Sequence, residues 1–477
     1  MSLVAASTRL VDFATGEILA GAELSERVAA VAAAYSRIPR GLVFVRARLS
    51  QCTVLRYLGS CQAGRPIAML DPALDGPLWT DLIARYEPAV VVGLDHVDED
   101  GANRVPAQYH PQNVPELGPC WIRADVSIHE SHPDLAILLS TSGSTGSPKL
   151  VRLSKRAVTV NAHAIADVLG IKPDDVAPTC LPLYYSYGLS VLNSHFVRGA
   201  TVVVANGGFL AREFWSAVDR YEATSLSGVP RSYEILDRLR WTPGHNPTVR
   251  VLTQAGGRLR PELIRTFHDK MTAVGGRFHV MWGQTEAAPR MSVLPAERLP
   301  DKLGSVGPAL PGGQISVRSD DGSETTAPHV VGEVVYRGPN VMFGYAFSAA
   351  DLAEGDALGG ELRTGDLGYL DEDGYLWLTG RVNRIGKVFG LRVNLDDIED
   401  MLRDVGPVAA VAGADRVVVF CENLDEGRGL ELTRRLASLL RVHRSGLDVR
   451  PVAQLPLLSN GKVDYRSLEA FGDDQAH

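Results

Sequence analysis

Apolar residues in the first half of the chain fall in two alternating patterns. Short, largely apolar runs occur at 41–46 (GLVFVR, rich in β-branched residues), 66–70 (PIAML), 89–92 (AVVV) and 201–204 (TVVV). Each is bounded by turn-forming or polar residues and predicts a buried strand. Between the first three, the stretches 51–61 and 79–86 space their apolar residues at three and four positions, which predicts helices. The stretch 155–169 places Ala157, Val160, Ala164 and Val168 on one helical face, with Ser154 positioned to cap its start. Strands alternating with helices argue for parallel sheets covered by helices.

From about residue 304 the pattern changes. Turn sequences become frequent (SVGPALPGG, SDDGSE, YRGPN, DEDGY), with short apolar runs between them, such as 314–318 and 333–336. This predicts an antiparallel β region, a small barrel. Beyond residue 380 the signals mix again: helix at 396–403, strand at 417–421, and an amphipathic helix at 431–442. A compact C-terminal domain of roughly 95 residues is expected there. No internal repeat or low-complexity segment interrupts the chain.

Composition narrows the class without choosing within it. A chain of 477 residues, 45% apolar and 22% charged, can bury a large core and divides naturally into more than one unit. The net charge of −8 gives no bulk attraction for nucleic acid or an anionic membrane. The five cysteines are odd in number, irregularly spaced and without a CxxC pair, so neither a disulfide framework nor a zinc site is expected. The N-terminus lacks a basic start followed by an apolar stretch, and no run of about 18 apolar residues occurs, so no signal peptide and no membrane span are expected. A cytoplasmic location follows as the expectation.

The densest chemical signal is LSTSGSTGSPKL at 139–150, directly after a strand-like run at 135–139. Thr141, Ser142, Gly143, Ser144, Thr145 and Gly146 cannot pack a core, but they can offer hydroxyls and backbone N–H groups to a polyanion. Lys149 adds a cation. Pro148 precedes that lysine and no Gly-Lys-Ser/Thr ends the loop, so it is not a Walker loop.

This loop resembles the phosphate loop of the adenylate-forming superfamily, which includes acyl-CoA synthetases, the adenylation domains of peptide synthetases, and luciferases. The resemblance extends over most of the chain, and further motifs follow in the expected order. Trp282, Gly283, Gln284, Thr285 and Glu286 are similar to the family's aromatic-Gly-x-Thr-Glu motif. Thr364, Gly365 and Asp366 resemble its Thr-Gly-Asp motif, Gly380 and Arg381 open its hinge motif, and Asn460, Gly461 and Lys462 resemble the motif of its C-terminal catalytic lysine.

The resemblance implies an α/β fold. A large N-terminal domain (1–380) would hold two parallel-type sheets with helices and a β-barrel-like subdomain at about 304–380. A hinge (381–387) and a small, mobile α+β C-terminal domain (388–477) would follow. It also implies a reaction: a carboxylate attacks the α-phosphorus of ATP and expels pyrophosphate. Both reactants are anionic, and two unit charges about 4 Å apart repel by about 4 kcal/mol at an effective dielectric near 20. The site must therefore supply cations and donors.

On this resemblance Lys462 bridges acid and α-phosphate, Thr285 donates to the α-phosphate, and Glu286 binds Mg²⁺ through carboxylate oxygen. Asp366 accepts from the ribose hydroxyls, and Arg381 pairs with ribose or phosphate oxygens. Ala255, Gly256 and Gly257 line adenine and the acyl pocket, where glycine permits close backbone approach. Trp282 stands where relatives usually have tyrosine and offers a stacking surface. Tyr184, Tyr185, Tyr187 and Val229 are the expected acid pocket. No acidic residue in LPLYYSYGLSV is placed to pair an ammonium group, which argues against an α-amino-acid substrate.

The hinge departs from the family pattern. It reads GRVNRIGK, with Asn383 and Arg384 where acids are usual, while Lys387, Gly390 and Arg392 keep the later pattern. Domain rotation about this hinge is expected to persist. Three functions stay open at this stage. The first is a ligase that passes the activated acid to a thiol, CoA or the phosphopantetheine arm of a carrier protein. The second is an adenylating enzyme with an amine acceptor, including a nitrite-activating diazotase. The third is a non-catalytic nucleotide-binding relative.

Overall fold

The computed structural model describes residues 3–74, 76–94, 105–124, 129–140, 149–319, 321–402, 404–413, 416–422, 424–425, 427–440, 442–458 and 463–473, excepting Gly390. They group into two compact units. One takes in the described residues up to Ile315 together with Tyr336–Leu362; the other takes in Ser316–Val335 and the described residues from Arg363 onward.

The strand–helix alternation of the sequence produces the first unit's sheets. An eight-stranded sheet has the order Gly344–Ala346, Leu150–Ser154, Leu135–Ser140, Ile67–Leu70, Val43–Arg46, Val90–Val92, Gly118–Arg123, Tyr109–Val114. Its four central strands are parallel, and antiparallel partners flank them on both sides. Phe44, Trp79 and Tyr86 pack on one face of it, all nearly inaccessible to solvent. The strand Leu135–Ser140, buried for five of its six residues, delivers the chain to the phosphate-loop sequence. Residues 141–148 of that loop lie outside the described residues.

A second sheet pairs Ser225–Gly228, Val251–Gln254 and Arg277–Gly283 in parallel, with Arg290–Leu294 returning antiparallel on the last. A third has the order Val176–Thr179, Thr201–Val204, Arg9–Asp12, Ile18–Ala20. Helices cap as their sequences dictate. Ser154 Oγ accepts from the Ala157 N–H at 3.0 Å to start Lys155–Leu169, and Gly170 ends it in the left-handed conformation. Ser50 caps Gln51–Gln62 in the same way. No described helix is long and apolar enough to cross a membrane.

The turn-rich region after residue 304 forms an open sheet rather than the expected barrel. Its order is Glu324–Thr325, Gln314–Arg318, Gly332–Arg337, Glu361–Leu370, Leu376–Arg381. The edge strand Glu324–Thr325 has two residues, too few ladder groups to pair onward and close the sheet. The rest of the second unit is α+β. A sheet of Val408–Gly413, Arg416–Glu422 and Leu447–Val452 packs with the helices Leu395–Met401 and Arg428–Leu440 over Val388, Ile398, Leu402, Val417, Val419 and Leu436.

Candidate active site

The strand Arg277–Gly283 ends in a tight turn that presents Thr285 and Glu286, and the chain returns in Arg290–Leu294. The register shifts at Trp282/Gly283, so Gly283 faces Arg290 across the base of the turn. Gly283 is obligatory there, because a Cβ would lie 1.8 Å from the Pro289 carbonyl oxygen. Asn340 holds the turn from outside, donating through Nδ2 to the Ala287 and Arg290 carbonyls at 2.7 and 3.0 Å.

At the tip, Tyr345 Oη donates to Glu286 Oε1 at 2.7 Å, and Lys149 Nζ lies 3.6 Å from the centre of the Tyr345 ring. One half-buried ring thus holds a cation on its face and a carboxylate at its hydroxyl. Burial, followed by the Glu286 charge, pushes the Tyr345 phenol well above its ordinary pKa, so it remains a donor to Glu286. Thr285 Oγ1 lies 2.9 Å from Ser186 Oγ at the start of the helix Ser186–Phe196. Thr285, Glu286 and Lys149 are therefore brought together, and Tyr345 and Ser186 join them without having been expected.

The acid-pocket residues converge only in part. Gly256, in the left-handed region, lets the Tyr185 hydroxyl approach so closely that a Cβ would lie 2.2 Å from it and 3.3 Å from Val229 Cγ1. Tyr185, Val229 and Gly256 thus share one patch. Gly257 is exposed and its carbonyl accepts from Gln254 Nε2 at 2.7 Å. Ala255 and Trp282 are buried, while Tyr184 and Gln284 are half-buried. Tyr187 spends its hydroxyl on the Thr253 carbonyl at 3.0 Å, so it offers a ring rather than a polar tip. That ring meets Tyr185 edge-on and lies 4.7 Å from the Arg290 guanidinium carbon. Burial pushes the Tyr185 phenol up to about 12, and nearby Arg290 opposes the shift.

In the second unit, Asp366 and Arg381 stand directly opposite each other on paired strands, with Arg381 Nε 2.8 Å from Asp366 Oδ1. The carboxylate side is buried and the guanidinium is 59% exposed. The Asp366 backbone N–H donates to Thr364 Oγ1 at 3.1 Å, which sets the Thr-Gly-Asp turn. Thr141, Ser142, Gly143, Ser144, Thr145, Gly146 and Lys462 lie outside the described residues, as do Gly390 and the side chains of Asn383, Lys387 and Arg392. The fate of the hinge's other unusual residue is clear. Arg384 donates through Nε to Asp396 at 2.9 Å and through Nη1 to the Ala410 carbonyl at 2.7 Å. It also pairs with Glu399 and stacks 3.9 Å from the Tyr465 ring. The basic residue in place of an acid is thus consumed within the second unit's own packing.

Residues 5–346, including the Lys149 region and the Thr285–Glu286 turn, match the family model described as AMP-binding enzyme. The chain belongs to the AMP-binding enzyme family. The matched stretch ends before Asp366, Arg381 and Lys462. Indoleacetate–CoA ligase of Aromatoleum aromaticum is 32% identical over 356 residues, 70% of this chain and 67% of that protein. Oxalate–CoA ligase of Arabidopsis thaliana is 33% identical over 278 residues, 57% of this chain and 53% of that protein. The alignments with these curated relatives thus span from about half to two thirds of their length. Among solved structures, o-succinylbenzoate CoA synthetase from Bacillus subtilis, in complex with its acyl-adenylate intermediate, superposes with a TM-score of 0.77 at 21% identity. That match covers 98% of this chain and 95% of the other, and at this identity it shows the fold.

No group of three or more His, Cys, Asp or Glu able to hold a metal occurs among the described residues. At the turn, Glu286 would be the residue to hold a hard cation, which takes oxygen ligands.

Proposed function

We propose that the protein activates a small acid with ATP as its acyl-adenylate, releasing pyrophosphate, and then transfers the acyl group to a thiol, CoA or the phosphopantetheine arm of a carrier protein. The observation that carries this is the turn of Thr285 and Glu286 with Lys149 held beside it across Tyr345. A hydroxyl donor and a carboxylate on one hairpin turn, with a cation held beside them, suit an anionic phosphate chain whose charge shifts during transfer.

In the first step a carboxylate oxygen of the acid bonds to the α-phosphorus, and the bond to the bridging oxygen of pyrophosphate breaks. Thr285 donates to the α-phosphate, Lys149 with the loop 141–146 grips the departing pyrophosphate, and Lys462 spans the acid and the α-phosphate. Mg²⁺ on Glu286 would neutralise phosphate charge. Asp366, oriented by Arg381, accepts from the ribose hydroxyls. In the second step the thiol sulfur attacks the acyl carbon, its proton leaves to solvent, and AMP departs with the electrons of the broken C–O bond. The relatives' names, which include both indoleacetate and oxalate, do not fix the acid.

Incubation with ATP, Mg²⁺, CoA and an acid panel that includes nitrite, followed by mass analysis, tests this. AMP and pyrophosphate with a CoA thioester are expected. Formation of an amide or diazo product only when an amine replaces CoA would move the second step to the amine-acceptor alternative. ADP and phosphate as products would contradict the first step.

A further inference from the structure

A buried cation stands at the base of the turn that carries Thr285 and Glu286. Arg290 is 3% exposed, and its Nε has no hydrogen-bond partner. Its Nη2 reaches Ser190 Oγ only at 3.5 Å, and its guanidinium lies against the Tyr187 ring. No carboxylate of a described residue pairs with it, and burial lowers its pKa from the ordinary arginine value. Burying a guanidinium without a counter-charge is costly, and such groups are normally paired.

Arg290 borders a small cavity of about 20 Å³. Ile165, Leu169 and Met281 give that cavity an apolar wall, Ser190, Ser194 and His195 supply polar groups, and Asp175, already held by Arg250 and Thr224, also lines it. The His195 imidazole, with Nδ1 2.8 Å from the Val191 carbonyl, is kept neutral by burial, so Arg290 is the only cationic side chain among the described lining residues.

The helix Ser186–Phe196 fixes how far this cation stands from the reacting end. Ser186 touches Thr285, and Ser190 touches Arg290. Four residues of helix rise about 6 Å. An acid whose carboxylate sits beside Thr285 would therefore bring a group about one helical turn deeper to the guanidinium.

We propose that Arg290 is the anion-binding end of the acid pocket and that the acid activated here carries a second anionic group about one helical turn, roughly 6 Å, from the carboxylate that becomes the adenylate. This rests on the adenylation reading above and adds the substrate class. The planar fork of arginine suits bidentate capture of such a group, and the Tyr187 ring centre lies 4.7 Å from its central carbon.

The test measures binding and turnover separately. Calorimetry with the full chain and α,β-methylene ATP, which blocks transfer, compares straight-chain dicarboxylates from malonate to adipate with monocarboxylates of the same chain length. At least one dicarboxylate should bind about 100-fold tighter than its matched monocarboxylate, the scale of losing one partner of a buried charge pair. Arg290→Met, apolar and of similar volume, should abolish that preference while keeping affinity for the ATP analogue. Arg290→Lys should restore part of it. Equal binding of matched acids by the wild type, failure of every dicarboxylate to bind, or full preference in R290M would each overturn the proposal. A dicarboxylate preference without pyrophosphate exchange would leave the anion subsite standing and remove the adenylation reading instead.

Discussion

Arg290 and Arg384 are both arginines withdrawn from water and laid against an aromatic ring, and they differ in everything else. Arg384, in the second unit, meets Asp396, Glu399, the Ala410 carbonyl and Tyr465. Burial alone would lower its pKa, but Glu399, Tyr465 and Asp396 outweigh that and raise it. Arg290, in the first unit, has one distant serine hydroxyl and an unpartnered Nε, and its pKa is lowered. A buried charge that is fully paired belongs to the fold. One that no described carboxylate pairs with, beside a cavity, belongs to a ligand.

The largest expected effect separates the two arginines directly. Arg384→Met strands the Glu399 carboxylate in the second unit's interior and should cost about 3–5 kcal/mol in denaturant unfolding of the full chain. Arg290→Met removes an unpaired charge and should leave stability within about 1 kcal/mol of wild type or raise it. Equal losses would erase the distinction.

Next in size is Lys462→Ala, expected to slow adenylation by about 10²–10³-fold with unfolding unchanged. Steady-state measurement of pyrophosphate release checks it, and full activity would remove Lys462 from the chemistry.

A third buried base refines the comparison by being neutral. Burial, with Arg277 nearby, pulls His279 down to about 4 from an ordinary 6.5. Stability from a neutral buried imidazole is complete above pH 6.5 and is lost as pH falls toward 4. Wild type should lose about 2 kcal/mol relative to His279→Gln between pH 7 and pH 5. Parallel pH curves for the two proteins would contradict the assignment. The smallest effect is at the turn's tip. Tyr345→Phe removes one hydrogen bond to Glu286, worth about 0.5–1.5 kcal/mol, and should raise the KM for MgATP by about 2–10-fold.

Local signals in the sequence translated well into local structure. The helix at 155–169 starts on Ser154 as its capping pattern implies, and the apolar runs at 41–46, 66–70, 89–92 and 201–204 became strands. Thr285, Glu286 and Lys149 come together because a short hairpin and the end of one strand place them. The barrel expectation failed because strand propensity says nothing about closure, which depends on edge length. Arg290 was missed although it lies four residues beyond Glu286 in the recognised motif. A charged residue opening the short strand RMSVL was the available signal. Its meaning depends on Tyr187, Ser190 and Ile165, which only the fold brings near. Arg384 stood out as a departure from the hinge pattern, but its partners Asp396, Glu399 and Tyr465 are set by packing.

The measurement that bears most directly on the account is acid-dependent exchange of labelled pyrophosphate into ATP, run on wild type and Lys462→Ala with matched dicarboxylates, monocarboxylates and nitrite. Exchange that requires an acid, is strongest with one short dicarboxylate, and falls by about 10²–10³-fold in the variant is the expected result. Absence of exchange with every acid, or exchange untouched by the loss of Lys462, would contradict it.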